Sequence, residues 1–224
     1  MRTFLAAAAA IAWLGGAASA QPVPAAELIA DFDANLARGE AIVGEIGAMH
    51  ARDQFLRRLI MQGFQREMTG EARTAYIEGT RRHFDRIDGA NSDRLQDLLR
   101  EISWAELVAL SPAAADQAFS LISHSSDVAF KRRMIAEFEP LARAGQMPGD
   151  RFAMLVDDVA MQERRPQVYG TNFRCLDGVY LPHPTEAMDQ LNARRAAIGL
   201  SSIEEYTAIV RSSYGACPPG YTGN

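Results

Sequence analysis

Residues 127–143 read DVAFKRRMIAEFEPLAR, and the apolar members Phe130, Met134, Phe138 and Leu141 recur at steps of three and four. That spacing lines one face of a helix, so it predicts a helix from about Asp127 to Arg143 that Gly145 is placed to end. Pro148 and Gly149 then turn the chain, and Phe152, Leu155, Val156 and Val159 form the stripe of a next helix, closed by Pro166.

Helical spacing also governs the chain upstream. From Ala25 to about Ile102, Leu56, Ile60 and Phe64 share one stripe and Leu95, Leu98, Leu99 and Ile102 another, without strand-like alternation. Asp88-Gly89-Ala90-Asn91 reads as a break, with Asn91 or Ser92 capping the helix that follows. Ser103 and Glu106 have capping-box spacing before Leu107, and Ser111-Pro112 supplies an N-cap with proline at the first helical position.

Downstream the period changes. Tyr169, Thr171, Phe173 and Cys175 alternate, and Asp177-Gly178 precedes Val179, Tyr180 and Leu181, which predicts a β-hairpin at about 167–182 around a type I′ turn. Helices resume near Thr185, stop at Gly199, and restart through Ser201 and Glu204 at capping-box spacing. The expected fold is therefore all-α or mainly α, a compact multi-helix array or bundle with one small hairpin. Residues 21–216 form a single domain on this reading, and 217–224 a Pro/Gly tail.

Residues 1–20 have the three parts of a cleavable signal peptide: a basic start at Arg2, an apolar run from about Phe4 to Leu14, and small residues at Ala18 and Ala20. The apolar run is shorter than the roughly 20 residues that span a bilayer. This predicts export to the periplasm or beyond, without stable membrane insertion after cleavage. The formal charge of −5 and the single lysine, Lys131, offer no basic stripe for nucleic acid. In an oxidising compartment the only two cysteines, Cys175 and Cys217, are expected to pair. The bridge would close a loop of about 43 residues and contribute on the order of 4 kcal/mol.

HExxH, GxSxG, P-loop, GxGxxG and Cys/His-cluster motifs are missing, so no metal or cofactor is expected. The densest group of unusual residues is Arg165 to Asn172. There Gln167, Tyr169, Thr171 and Asn172 offer directed donors and acceptors, which serve either a ligand or the backbone where helix gives way to hairpin. His124 and Asp127 would share a helix face if the helix were continuous, although Ser125 and Ser126 argue against continuity. Of the adjacent Asp157 and Asp158, one must point nearer the core and accept bonds from the Gln167 to Asn172 loop or pair with an arginine such as Arg57. Asp53, Gln54 and Arg57 read as a solvated face with an i, i+4 pair, and Arg194 and Arg195 as favourable charges at a helix C-terminus.

Taken together, Asp53-Gln54 with Arg57, Ile87-Asp88 with Asn91, His124, Leu155 to Asp157, Pro166 to Thr171, and Arg194-Arg195 with Gly199-Leu200 resemble a bacterial family known as domain of unknown function 6624. The similarity covers about residues 45–210, and its most specific part is the PQVYGT loop. It implies a helical fold sharing that loop and brings no activity; Arg57 and Asp88 join Gln167, Tyr169, Thr171 and Asn172 as binding candidates. Two functions follow. One is an exported module that binds an envelope protein, a peptide or a small polar ligand. The other is a hydrolase-like enzyme with His124 as general base, candidate Asp157 or another of Asp88, Asp127 and Asp158 orienting it, and the Gln167 to Asn172 loop holding substrate.

Overall fold

The computed structural model describes residues 24–61 and 68–217. The expected signal peptide at 1–20, Phe64 and the tail from 218 lie outside the described residues. The chain divides into two units, Met1–Glu40 and Ala41–Asn224. In the first, the described residues 25–40 are helical and leave Leu28, Ile29, Phe32 and Leu36 exposed.

Eight α-helices and one hairpin are present among the described residues. They are α1 (Ala25–Met61), α2 (Gly70–Glu101), α3 (Trp104–Leu110), α4 (Pro112–His124), α5 (Val128–Arg143), α6 (Gly149–Gln162), β1 (Phe173–Leu176), β2 (Val179–Pro182), α7 (Leu191–Ala196) and α8 (Ile203–Tyr214). A 3-10 turn at Met188–Gln190 leads into α7. Among the described residues no helix is long and apolar enough to cross a membrane.

One apolar cluster in the second unit draws on every helix from α1 to α6. Ile42, Ile46 and Met49 come from α1, Leu95 and Leu98 from α2, Trp104 and Leu107 from α3, and Ile122 from α4. The α5 stripe supplies Phe130, Met134 and Phe138, and α6 supplies Phe152 and Leu155. Phe138 lies at its centre, with ring centroids 4.6 Å from Trp104 and 5.8 Å from Phe119. Side chains of this size stabilise by roughly 1.5–3 kcal/mol each when buried, which is why the helical periodicity governs the fold.

The anticipated caps at Ser103 and Ser111 are present, the first as a complete capping box with Glu106. Asp127 is not part of a helix shared with His124. It is the N-cap of α5 and accepts from Phe130 N–H at 2.9 Å. The break between α4 and α5 is held by Ser125, whose hydroxyl meets Ser92 Oγ at 2.6 Å and accepts from Asp127 N–H at 3.0 Å.

Three expectations need correction. Helix α2 runs unbroken through Asp88-Gly89-Ala90-Asn91. A mid-helix glycine costs only about 1 kcal/mol, and the burial of Ile87, Leu95 and Leu98 outweighs it. The box opening α8 is Ser202 with Glu205, one residue later than expected, a register that buries Ile203 and lets Asn192 Oδ1 accept its N–H at 2.8 Å. The hairpin has its Asp177-Gly178 turn, both residues at positive φ (46° and 84°), but β1 starts only at Phe173. Residues 167–172 are taken up by bonds to other elements. Cys175 and Cys217 form the expected disulfide and tie β1 to the residues after α8.

Candidate functional site

Helix α1 turns Gln54 and His50 toward an open cleft, and its Asp53 inward, where the carboxylate is 1% exposed. A buried carboxylate must be matched by donors. Asp53 Oδ2 accepts from Gln54 Nε2 at 2.9 Å and Oδ1 from Arg57 Nε at 3.0 Å. His124, at the last turn of α4, brings Nδ1 to 3.0 and 2.9 Å from the two carboxylate oxygens. Arg57 then reaches Asp88 on α2, where its terminal nitrogen donates to both oxygens at 3.1 and 3.0 Å. The guanidinium also lies 5.0 Å from the centroid of the Phe84 ring.

The two carboxylates of this cluster are shifted in opposite directions. Burial pushes the Asp53 carboxyl up, but the bonds and charges of His124 and Arg57 outweigh it and hold the group below its ordinary value. Asp88 goes the other way, because burial exceeds what Arg57 returns and raises it. Arg57 Nε also lies 2.9 Å from His124 Nδ1, a contact that would be a hydrogen bond only if Nδ1 were unprotonated. An ionised Asp53 facing that lone pair would be repelled at both oxygens. Nδ1 therefore carries a proton directed at Asp53. Nε2 makes no hydrogen bond among the described residues.

His124 lines the cleft with 28% of its side chain exposed. The cleft has a volume of about 610 Å³. Its polar lining includes Gln54, Ser120, Ser123, Asp158 and Asn172, and Phe119, Met154 and Leu155 supply apolar wall. Asp158 is fixed by the only lysine, the buried Lys131, whose Nζ stands 2.6 Å away. Among the described residues no group of three or more His, Cys, Asp or Glu side chains is arranged to hold a metal ion.

The loop after α6 is built differently from the cleft. Asp157, fully buried, accepts from the backbone N–H of Val168 (2.7 Å), Tyr169 (2.9 Å) and Thr171 (2.8 Å) and from the Thr171 hydroxyl (2.8 Å). Gln167, also fully buried, accepts from Asn172 N–H at 2.8 Å and donates to the carbonyls of Asn172 and His183. Arg194 Nε donates to Val168 O at 3.1 Å, and Arg195 to Tyr169 O and Ser201 O at 2.7 Å each. Three of the loop's N–H groups thus end on one aspartate, and the carbonyls of Val168 and Tyr169 on two arginines. Gly170 has φ +67°, and a Cβ there would come 3.3 Å from Ile203 Cδ1, so glycine fits both the backbone and the space.

The residues singled out from sequence are consequently divided. His124 and Asn172 line the large cleft, and Arg57 and Asp88 support the histidine from behind. Asp157, Gln167 and Thr171 hold the loop, as one of the two aspartates was expected to. Tyr169 lines a second cleft. The orienting carboxylate of His124 is Asp53, which the i, i+4 spacing had marked as part of a solvated face. Its partner lies 71 residues away, and no local pattern encodes that pairing. The only sequence hint is that Gln54 and Arg57 sit on the same helix within a turn of it.

Residues 41–217 match the model of a family of unknown function, DUF6624. No curated protein and no solved structure matches the chain.

Proposed function

This chain belongs to the DUF6624 family, and from that footing we propose that its large cleft carries out acid–base chemistry, hydrolysis of a small polar substrate, with His124 as the proton acceptor. The observation that carries the reading is the Asp53–His124 bond at the wall of an open cleft. A general base needs a neutral imidazole with one nitrogen free, a partner that fixes its tautomer, and access to solvent. Asp53 supplies the partner and stabilises the imidazolium that forms when Nε2 takes a proton from water. Arg57 and Asp88 are positioning residues that hold Asp53 in place. Gln54, Ser120 and Asn172 are among the uncharged groups available to bind a substrate rich in hydroxyls or amides.

The signal-peptide pattern of residues 1–20 points to an envelope substrate. Cell-wall fragments are therefore the first compounds to incubate with the protein, with products followed by mass spectrometry. The expected result is cleavage of a fragment by the wild type and a loss of about 10²-fold or more in His124→Ala, with binding retained. The second reading is a binding module for the same ligands, supported by the hydrogen-bonding groups that Gln54, Ser120 and Asn172 add to the lining. A fragment that raises the melting temperature of both proteins and is never cleaved would select it. Neither cleavage nor binding would overturn both.

A further inference from the structure

A second cleft of about 530 Å³ opens between α5, α6 and α7, and Tyr169 from the loop forms part of its wall. It shares no lining residue with the His124 cleft. Its apolar wall is Ile135, Phe152, Val156 and Val168, and its charged groups are Arg143, Arg194 and Glu139. Two guanidinium groups against one carboxylate leave the cleft with net positive charge.

The pairing within the cleft sharpens this. Glu139 accepts both bonds of Arg143, at 3.0 and 2.8 Å through Oε1 alone. Arg194 has only the backbone carbonyls of Val168, Glu186 and Ala187 as partners, so no carboxylate among the described residues neutralises it. Tyr169 is 6% exposed, its ring stacks edge-on against Phe152 at 6.0 Å, and both its backbone groups are bonded. Its hydroxyl makes no hydrogen bond among the described residues. Burial pushes that hydroxyl up from its ordinary value, so it remains a donor at neutral pH.

We infer that this cleft binds a small monocarboxylate with an apolar body, the carboxylate meeting the Tyr169 hydroxyl and the guanidinium groups of Arg194 and Arg143, the body lying on Phe152 and Val156. A charge-assisted bond from tyrosine and a net positive site favour the anion. The aliphatic and aromatic wall favours a carbon chain over a bare ion. This inference does not depend on the chemistry assigned to His124.

The test is calorimetric titration of the full chain with hexanoate, with hexanamide as the neutral isostere and inorganic phosphate as an anion lacking the apolar body. Hexanoate should bind at least about tenfold more tightly than either control. Tyr169→Phe, which keeps the ring, and Arg143→Gln, at an exposed side chain, should each weaken hexanoate about fivefold or more, and His124→Ala should leave it unchanged. The inference is overturned if hexanoate shows no saturable binding, if hexanamide or phosphate binds as tightly, or if both cleft variants bind hexanoate like the wild type. Loss of hexanoate binding in His124→Ala would place the ligand in the other cleft and overturn it as well.

Discussion

Asp53 carries the largest consequences of any single side chain. Asp53→Asn keeps the shape but removes the charge that fixes Nδ1–H of His124, so any hydrolysis the protein performs should fall by about 10²–10⁴-fold, measured as kcat on the fragment it cleaves. The same residue sets part of the acid stability. Its folded-state carboxyl is held below the ordinary value, so its contribution is present above the ordinary carboxylate range and is lost as pH falls through the depressed value. Asp88 has the opposite sign, because its raised carboxyl makes ionisation cost stability as pH rises through and above the ordinary range. In urea unfolding at neutral pH, Asp53→Asn should therefore cost more than Asp88→Asn. Only the Asp53 variant should flatten the fall in stability toward acid pH. Equal losses in the two variants would contradict that assignment.

At the scale of elements, the loop after α6 depends on one carboxylate. Asp157→Ala leaves three backbone N–H groups and a hydroxyl without their acceptor, and should cost at least about 3 kcal/mol in denaturant unfolding, with Asp157→Asn costing less. Two helical glycines separate packing from propensity. A Cβ on Gly149, at the start of α6, would lie 1.9 Å from Ile198 O, so Gly149→Ala must push α6 off the turn after α7 and destabilise. A Cβ on Gly89, inside α2, meets nothing within 4 Å. Gly89→Ala should stabilise by roughly 0.5–1 kcal/mol, with a higher melting temperature as the readout.

For the whole molecule, the disulfide links the hairpin, itself too small to be stable alone, to the residues after α8. Tyr180 and Tyr214 add a ring contact at 6.5 Å across the same junction. With a separation of 42 residues, reduction should lower stability by about 4 kcal/mol on the chain-entropy estimate. Melting curves with and without reductant measure this. Thiol titration of the denatured protein without reductant should find no reactive thiol, and two reactive thiols would show that the bridge does not form.

The sequence by itself determined what short-range patterns can encode. Spacing of apolar residues marked α5 and α6, serine and proline marked the starts of α3 and α4, Asp177-Gly178 marked the turn, and a count of two cysteines marked the bridge. The PQVYGT loop and its companions marked the family. Its local rules failed at Gly89, where burial of neighbouring residues outweighs a glycine's small cost, and at Ser201, where two equally spaced boxes compete and only packing chooses. The tertiary structure alone decided the site. Asp53 and Arg57 look alike from sequence whether they face solvent or core. They become a buried cluster only because α1 and α4 meet, bringing His124 within 3.0 Å of a carboxylate 71 residues away. It also assigned Asp157 to the loop and Asn172 to the cleft. Pairings between distant side chains depend on how helices pack, and helix packing is a property of the whole core.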